Sequence, residues 1–302
     1  MHFYAQIFFL CFLSNFAHLE LHLLAVPSQM TDMLPVVVVQ GGAGFVPRQR
    51  SEASTSGVCA AARAAYAILQ GGGSSMDAVL EAVTNLENNP VFNAGCGSVL
   101  NVKGDIEMDA IVMDGKTLGS GAVSAVRNIA NPVQLARLVM EKTSHACLTA
   151  EGASKFARDM GIPEVPQESL ITEYSRMRWK DNLEPDANPV QCQMGKMGTV
   201  GAVAVDREGN TACATSTGGM LNKMEGRVGD TPMIGQSVEA ASDLGLAYMK
   251  SRVDGLGGVV TVDPQGHWAA RFSSLQMAWA AAQKDTLHHG LYCGEHFTQS
   301  ID

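Results

Sequence analysis

The sequence predicts an α+β protein in which helices pack on antiparallel sheet. Three observations predict it. Two stretches read as hairpins: Thr199–Val205 turns through Arg207–Asn210 into Thr211–Thr217, and Gly258–Val262 turns through Asp263–Gly266 into His267–Phe272. Leu34–Gln40 is a continuous apolar run ending at Gly41-Gly42-Ala43-Gly44, which marks a buried strand closed by a tight glycine loop. Between that run and the hairpins lie alanine-rich segments with helical spacing. Hairpins make antiparallel sheet, and the helices must cover its faces, leaving room for sheet packed on sheet.

Taken in order, residues 1–33 read as an N-terminal extension. Ile7–Leu13 is apolar and of signal-peptide length, but no Lys or Arg precedes it, no clean small-x-small site follows, and it is too short to span a bilayer. Met30 or Met33 then opens the folded part. A helix is expected from Ser56 to Leu69, with Ala60, Ala61, Ala64, Ala65, Ile68 and Leu69 as its apolar stripe, ending at Gly71-Gly72-Gly73. A second starts at Ser74, capped through Asp77, with Val79, Val83 and Leu86 inward. The Asn88–Ser98 loop is rich in amides and glycine, and its carbonyls suit a cation such as sodium or a plain structured turn. Strands are expected at Ser98–Val102 and Glu107–Met113. Asn131-Pro132 opens a helix with Leu135, Leu138 and Val139 inward, and another runs from about Thr149 to Gly161. Pro163–Met194 reads as an exposed linker with weak periodicity. A last helix begins near Gln236 (Val238, Leu244, Ala247, Tyr248).

Composition bounds the function. The chain has 302 residues, 46% hydrophobic and 17% charged, with a net charge of −9 and no basic block, which argues against nucleic acid as a partner and against a membrane protein. Seven scattered cysteines without a Cys-x-x-Cys pair argue for reduced thiols and a cytoplasmic protein, and against a zinc site. His288-His289 falls in a terminal segment and is expected to be solvent-exposed. The glycine loop at 41–44 lacks the spacing of a phosphate or dinucleotide loop.

The chemistry gathers at Gly198-Thr199. A threonine hydroxyl is a weak nucleophile unless a base adjoins it, and cutting the chain just before the threonine makes its own α-amine that base. Such an amine titrates near pH ~7.7–8, so it is partly neutral at pH 7. A linker, then Gly198-Thr199, then a strand is the layout such a cut needs; an ordinary strand-entry threonine is the plain alternative. Thr215-Ser216-Thr217-Gly218-Gly219 ends the partner strand, so its hydroxyls lie near Thr199. Gly226-Arg227-Val228-Gly229-Asp230 offers a fork donor and a carboxylate three residues apart, which suits the two charges of an amino acid or, equally, a surface ion pair.

These residues resemble the plant-type asparaginases and isoaspartyl peptidases, a family of N-terminal-nucleophile hydrolases. The likeness rests on Val36–Gly44, Asn93-Ala94-Gly95-Cys96-Gly97, Met108-Asp109-Ala110, Gly198-Thr199-Val200-Gly201, Thr215–Gly219 and Gly226–Asp230, in that order. It covers about Pro35–Asp230 and resumes from Val238 through Gly258 to Trp279. It implies an αββα four-layer sandwich made as one precursor, with residues 34–198 (linker 163–198 included) as the first part and 199–302 as the second. It implies self-cleavage at Gly198-Thr199 and hydrolysis of the side-chain amide of asparagine or of β-aspartyl peptides. Thr199 would be the nucleophile and Thr217 its helper. Arg227 would clasp the α-carboxylate and Asp230 the α-ammonium, with Val228 and Gly229 between them. Leu86, Glu87, Phe92 and Asn93 would belong to a sodium loop, with no metal or organic cofactor in the chemistry. Homodimers or heterodimers of the cleaved chains are expected.

Two departures stand out. Gln40 replaces the family's usual histidine. After Asp230 the family carries several tens of residues with a Thr-Gly-x-Gly-Glu stretch that supplies the oxyanion hole; here Asp230–Gly235 runs almost directly into Gln236, and no such stretch occurs. A strand and helix segment is therefore missing. That leaves two expectations: a hydrolase with other oxyanion donors, or a shortened form that is catalytically impaired or a non-catalytic partner. Losing one oxyanion donor costs ~2.7–4 kcal/mol in the transition state.

Overall fold

The computed structural model describes residues 34–182, 198–227, 257–263 and 265–301. The fold is α+β. A nine-stranded sheet runs in the order β11-β10-β9-β1-β5-β6-β2-β3-β4 and a two-stranded sheet pairs β7 with β8. The strands are β1 (Val36–Gly44), β2 (Met108–Asp114), β3 (Ser120–Val126), β4 (Cys147–Thr149), β5 (Val200–Val205), β6 (Thr211–Thr217), β7 (Gly258–Val262), β8 (Trp268–Phe272), β9 (Gln276–Gln283), β10 (Thr286–Tyr292) and β11 (Phe297–Ser300). Every pairing is antiparallel except β3 with β4.

The central strand explains the layering. Val36–Val39 are all fully buried, yet they face two ways. Val37 and Val39 join the core under the helices, while Val36 and Val38 pack with Val205, Val260, Val262 and Met277 under the small sheet. A strand covered on both faces needs an unbroken apolar run, which is why alternation is absent there. Helices α1 (Arg48–Gln70), α2 (Ser75–Glu87) and α3 (Pro132–Lys142) form the outer layer. Alanines at 61, 62 and 65 on α1 and at 278, 280 and 282 on β9 let the helix and sheet approach closely. Helix, sheet and second sheet are thus three of the four expected layers; the last helix expected from Gln236 lies outside the described residues.

The two hairpins and the capping of α2 form as expected. Ser74 accepts a hydrogen bond from the Asp77 N–H at 3.1 Å, and Asp206 serves both the β5–β6 turn (Asn210 N–H, 2.9 Å) and the start of α2 (Ser75 N–H, 3.1 Å).

Other expectations are corrected. The first helix begins at Arg48 rather than Ser56, and Ala60 faces solvent, because the buried stripe is Ser54, Val58, Ala61, Ala62, Ala65 and Leu69. Gly41–Gly44 does not end β1; the strand continues through a bulge between Gln40 and Ala43. Ser98–Val102 is not a strand but contributes a single bridge, Leu100 to Ile106. Within Pro163–Met194, α5 (Gln167–Leu170) and α6 (Glu173–Asp181) are helical, the latter held by a Thr172/Ser175 capping box; α4 (Ala150–Asp159) precedes them as expected. The C-terminal strands β9–β11 were not expected. His288 and His289 sit half-buried in β10, with His288 Nδ1 2.9 Å from His296 Nε2 and its ring 5.4 Å from Trp268. No disulfide joins the five described cysteines.

Candidate active site

Gly198 and Thr199 enter β5 beside the bulge of β1. Gly42 there is left-handed (φ +105°), and a Cβ on it would stand 2.5 Å from the Gly198 carbonyl oxygen; a Cβ on Gly198 would stand 2.6 Å from that of Ala43. The backbone at the expected cut therefore packs against the backbone of Gly42 and Ala43, with no room for a Cβ at position 42 or 198. Gln40 reaches across the same gap. Its Nε2 donates to the Thr199 carbonyl at 2.8 Å and its Oε1 accepts from the Gly42 N–H at 2.6 Å. Gly201 opposite leaves the space, since a Cβ there would lie 3.1 Å from Gln40 Nε2. Gln40 thus fixes the Thr199 carbonyl by an uncharged donor.

Register brings the threonines together. Val200 pairs with Ser216, so one further step sets Thr199 opposite Thr217, and Thr217 pairs on its other side with Asp109. Thr217 is buried and accepts the Gly219 N–H at 2.9 Å. The Asn93–Gly97 motif clamps this turn. Asn93 donates from Nδ2 to the Gly219 carbonyl (2.9 Å), accepts the Val99 N–H on Oδ1 (2.9 Å), and its own carbonyl accepts the Gly218 N–H (2.9 Å). Gly218 permits that contact, because a Cβ would meet Asn93 Oδ1 at 2.5 Å.

Arg227 comes to the same place. A Cβ on Gly219 would stand 3.1 Å from Arg227 Nη1. Its loop is tied down by Glu107, whose carboxylate accepts the Gly226 N–H (3.1 Å) and Arg127 Nη2 (2.7 Å). Burial works against ionising Glu107, but the Arg127 and Gly226 donors outweigh it and hold the carboxyl below its usual range. Val228, Gly229 and Asp230 lie outside the described residues. The structure therefore gathers Gly198, Thr199, Thr217, Asn93 and Arg227 around one turn. Sequence reasoning missed Lys223, which the fold buries beside Gly219 and Arg227; one lysine in a turn carries no sequence signal of its own.

Of the expected cation loop, the carbonyls of Leu86, Glu87 and Asn93 accept the N–H groups of Asn89, Cys96 and Gly218. These are neutral carbonyl oxygens, the donor type a hard monovalent cation takes, and that of Leu86 also receives the Asn88 N–H. Arg50 already donates to the neighbouring carbonyls of Pro90 (3.1 Å) and Val91 (2.8 Å). No group of three or more metal-ligating His, Cys, Asp or Glu side chains occurs among the described residues.

The Glu87 side chain has another task. It is fully buried and accepts the Val133 N–H (3.0 Å) and Asn131 Nδ2 (3.1 Å) at the start of α3. Burial raises its pKa from 4.5 to about 7, against the pull of Ser216, Val133 and Asn131. The folded state thus holds this proton more tightly than the unfolded chain, so stability falls as pH rises from about 4.5 to about 7, by up to ~3 kcal/mol. Urea unfolding at pH 5 and pH 7.5 should show the wild type losing stability relative to Glu87→Gln between the two values; parallel losses would contradict this.

The profile of the asparaginase family matches residues 33–237 and 234–291. The chain is 66% identical to the isoaspartyl peptidase/L-asparaginase of Danio rerio, with 89% of this chain and 99% of the relative aligned. It is 49% identical to the protein of that name in Homo sapiens (86% and 96% aligned) and 45% identical to the plant-type L-asparaginase of Pyrococcus abyssi (68% and 70% aligned). The Danio rerio alignment spans 307 positions yet takes in only 89% of this chain, so that relative carries positions this chain lacks. The two matched pieces meet at 234–237, which puts the break where the missing segment was read. Fold, site geometry and these likenesses agree, and the chain belongs to the asparaginase family of N-terminal-nucleophile hydrolases.

Proposed function

We propose that the protein cuts itself between Gly198 and Thr199 and then hydrolyses the side-chain amide of L-asparagine and the β-aspartyl bond of isoaspartyl dipeptides. The observation that carries this reading is the register that sets Thr199 opposite Thr217, with the Gly198 backbone wedged against Gly42 and Ala43.

After the cut, the α-amine of Thr199 takes the proton from its own hydroxyl, and the Oγ attacks the amide carbonyl. The amine returns the proton to the leaving nitrogen, so ammonia or the peptide amine departs and an aspartyl ester remains on Thr199. Water, deprotonated by the same amine, releases aspartate and restores the hydroxyl. Thr217 holds the nucleophile's hydroxyl, Arg227 the α-carboxylate, and Asp230 the α-ammonium, with the Val228-Gly229 backbone between them. A cation on the Leu86, Glu87, Phe92 and Asn93 carbonyls would stiffen the loop that carries Asn93 and takes no part in bond making.

The cut separates the part at 34–198 from the part at 199–302, and the cleaved chains assemble as a homodimer or heterodimer in the cytoplasm. No helix among the described residues is long and apolar enough to cross a membrane. The close identity to named relatives favours turnover over the impaired reading. Ammonia release from L-asparagine and aspartate release from a β-aspartyl dipeptide test it directly; a cleaved protein that releases neither would establish the impaired form instead.

A further inference from the structure

The helix layer ends in a step at one side of the large sheet. α1 lies over β9 and β10, while Phe297 and Gln299 on the edge strand β11 stay exposed. The register pairs Leu287 with Gln299 and His289 with Phe297, so these side chains share the face that α1 partly covers. On β10, Leu287 and Leu291 belong to the core under the helices, and half-buried His289 stands between them. At the step a cavity of about 520 Å³ opens between α1 and β10. Its lining is largely polar. α1 contributes Glu52, Thr55, Cys59 and Arg63, and the strand side contributes His289 and Glu295.

Two of these groups lack a partner. Arg63 makes no hydrogen bond or ion pair among the described residues. His289 Nδ1 is buried and has no hydrogen-bond partner, which costs free energy until something supplies one. Glu295 is fixed instead. Its Oε2 accepts the N–H groups of Leu291 (3.2 Å) and Tyr292 (3.0 Å), yet it forms no ion pair among the described residues. Both charges act on His289. Burial lowers its imidazole below the ordinary range, with Arg63 and His296 adding to the effect and Glu295 opposing it. The ring is therefore neutral at pH 7, and its bare nitrogen donates or accepts according to tautomer. Burial raises the Cys59 thiol, so it adds no charge. Glu52 is exposed and lies about two turns before Cys59, on the side away from Arg63.

A cation and an anion thus face one buried polar atom across a gap without pairing with each other. A small molecule that carries both charges would satisfy all three. We propose that this cavity binds a free α-amino acid as its zwitterion, with the carboxylate on Arg63, the ammonium on Glu295 and the His289 imidazole between them. Arg63 offers the planar fork that suits a carboxylate, and Glu295 is held in place for the ammonium by two backbone donors. None of these residues belongs to the candidate active site, so the inference does not rest on the hydrolase reading.

The test follows the His289 ring signal by NMR on the purified full chain with labelled histidine, assigned by its loss in His289→Gln. The probes are L-alanine, N-acetyl-L-alanine, which lacks the ammonium, and L-alaninamide, which lacks the carboxylate. The local signal separates this cavity from any amino acid held elsewhere. The expected result is a saturable shift with L-alanine at a Kd on the order of 1 mM, and binding at least about tenfold weaker for each derivative. Arg63→Gln and Glu295→Gln, which remove one charge each and keep a hydrogen-bonding amide, should each weaken L-alanine at least about tenfold. A His289 signal that does not move, equal affinity for the three probes, or variants that bind as the wild type does would overturn the proposal. The wild-type series decides alone if a variant does not fold.

Discussion

Thr199→Ala should leave one uncut chain and lower amide hydrolysis at least about 10⁴-fold, the scale seen when a covalent nucleophile is removed. Both losses have the same cause. Alanine has no hydroxyl to attack the Gly198 carbonyl, so no α-amine is freed, and no hydroxyl to attack a substrate. Thr199→Ser keeps the Oγ and should still cut, more slowly. Two contacts that do not depend on the side chain hold residue 199 in the variant: Gln40 Nε2 to its carbonyl and the pairing of β5 with β6 from Val200 onward. Thermal unfolding of Thr199→Ala should therefore stay close to that of the uncut wild-type precursor, and mass spectrometry with an ammonia assay reads the rest. A cut Thr199→Ala protein would show that the nucleophile lies elsewhere.

Gly42→Ala should block the cut although it touches no reacting side chain. The new Cβ would stand 2.5 Å from the Gly198 oxygen and 2.8 Å from its nitrogen, both backbone atoms that cannot swing aside. Its φ of +105° adds strain that an L-residue bears poorly. Relief requires Gly198 to move away from β1, which takes the scissile carbonyl out of line with the Thr199 hydroxyl. The expected loss of stability is roughly 2–4 kcal/mol, with uncut chain as the main product. Gly152→Ala is the control. It lies within α4 with nothing within 4 Å of the added Cβ, so it should be neutral or stabilising by up to ~1 kcal/mol and cut normally.

The sequence was most legible where local rules and tertiary demands agree. The β5–β6 and β7–β8 hairpins carried their own turns, and Ser74 with Asp77 announced the start of α2. It was least legible where a local signal had a distant cause. Gly41–Gly44 reads as a loop because glycines end strands, but here they admit the Gly198 backbone and the strand runs on. Ala60 looked like a core alanine, yet the helix turns Ala61, Ala62 and Ala65 inward instead. The strands β9 to β11 were hidden because Gln276–Gln283 is alanine-rich, and small residues there serve contact with α1 rather than β-propensity. At the site, Thr199, Thr217 and Arg227 stood out through their neighbouring glycines. Lys223 did not, since one lysine in a turn carries no pattern until the fold buries it. Gln40 looked like a mere departure from a histidine, whereas its amide holds both strands at the cut.

The central claim is that Gly198 and Thr199 form a self-cleaving junction whose product carries the nucleophile. The intact mass of the freshly purified protein, followed over time at neutral pH, tests it most directly. The account predicts two pieces whose junction lies between residues 198 and 199, the second beginning with Thr199, and accumulating without added protease. A chain that stays whole, or one cut at any other bond, would contradict it.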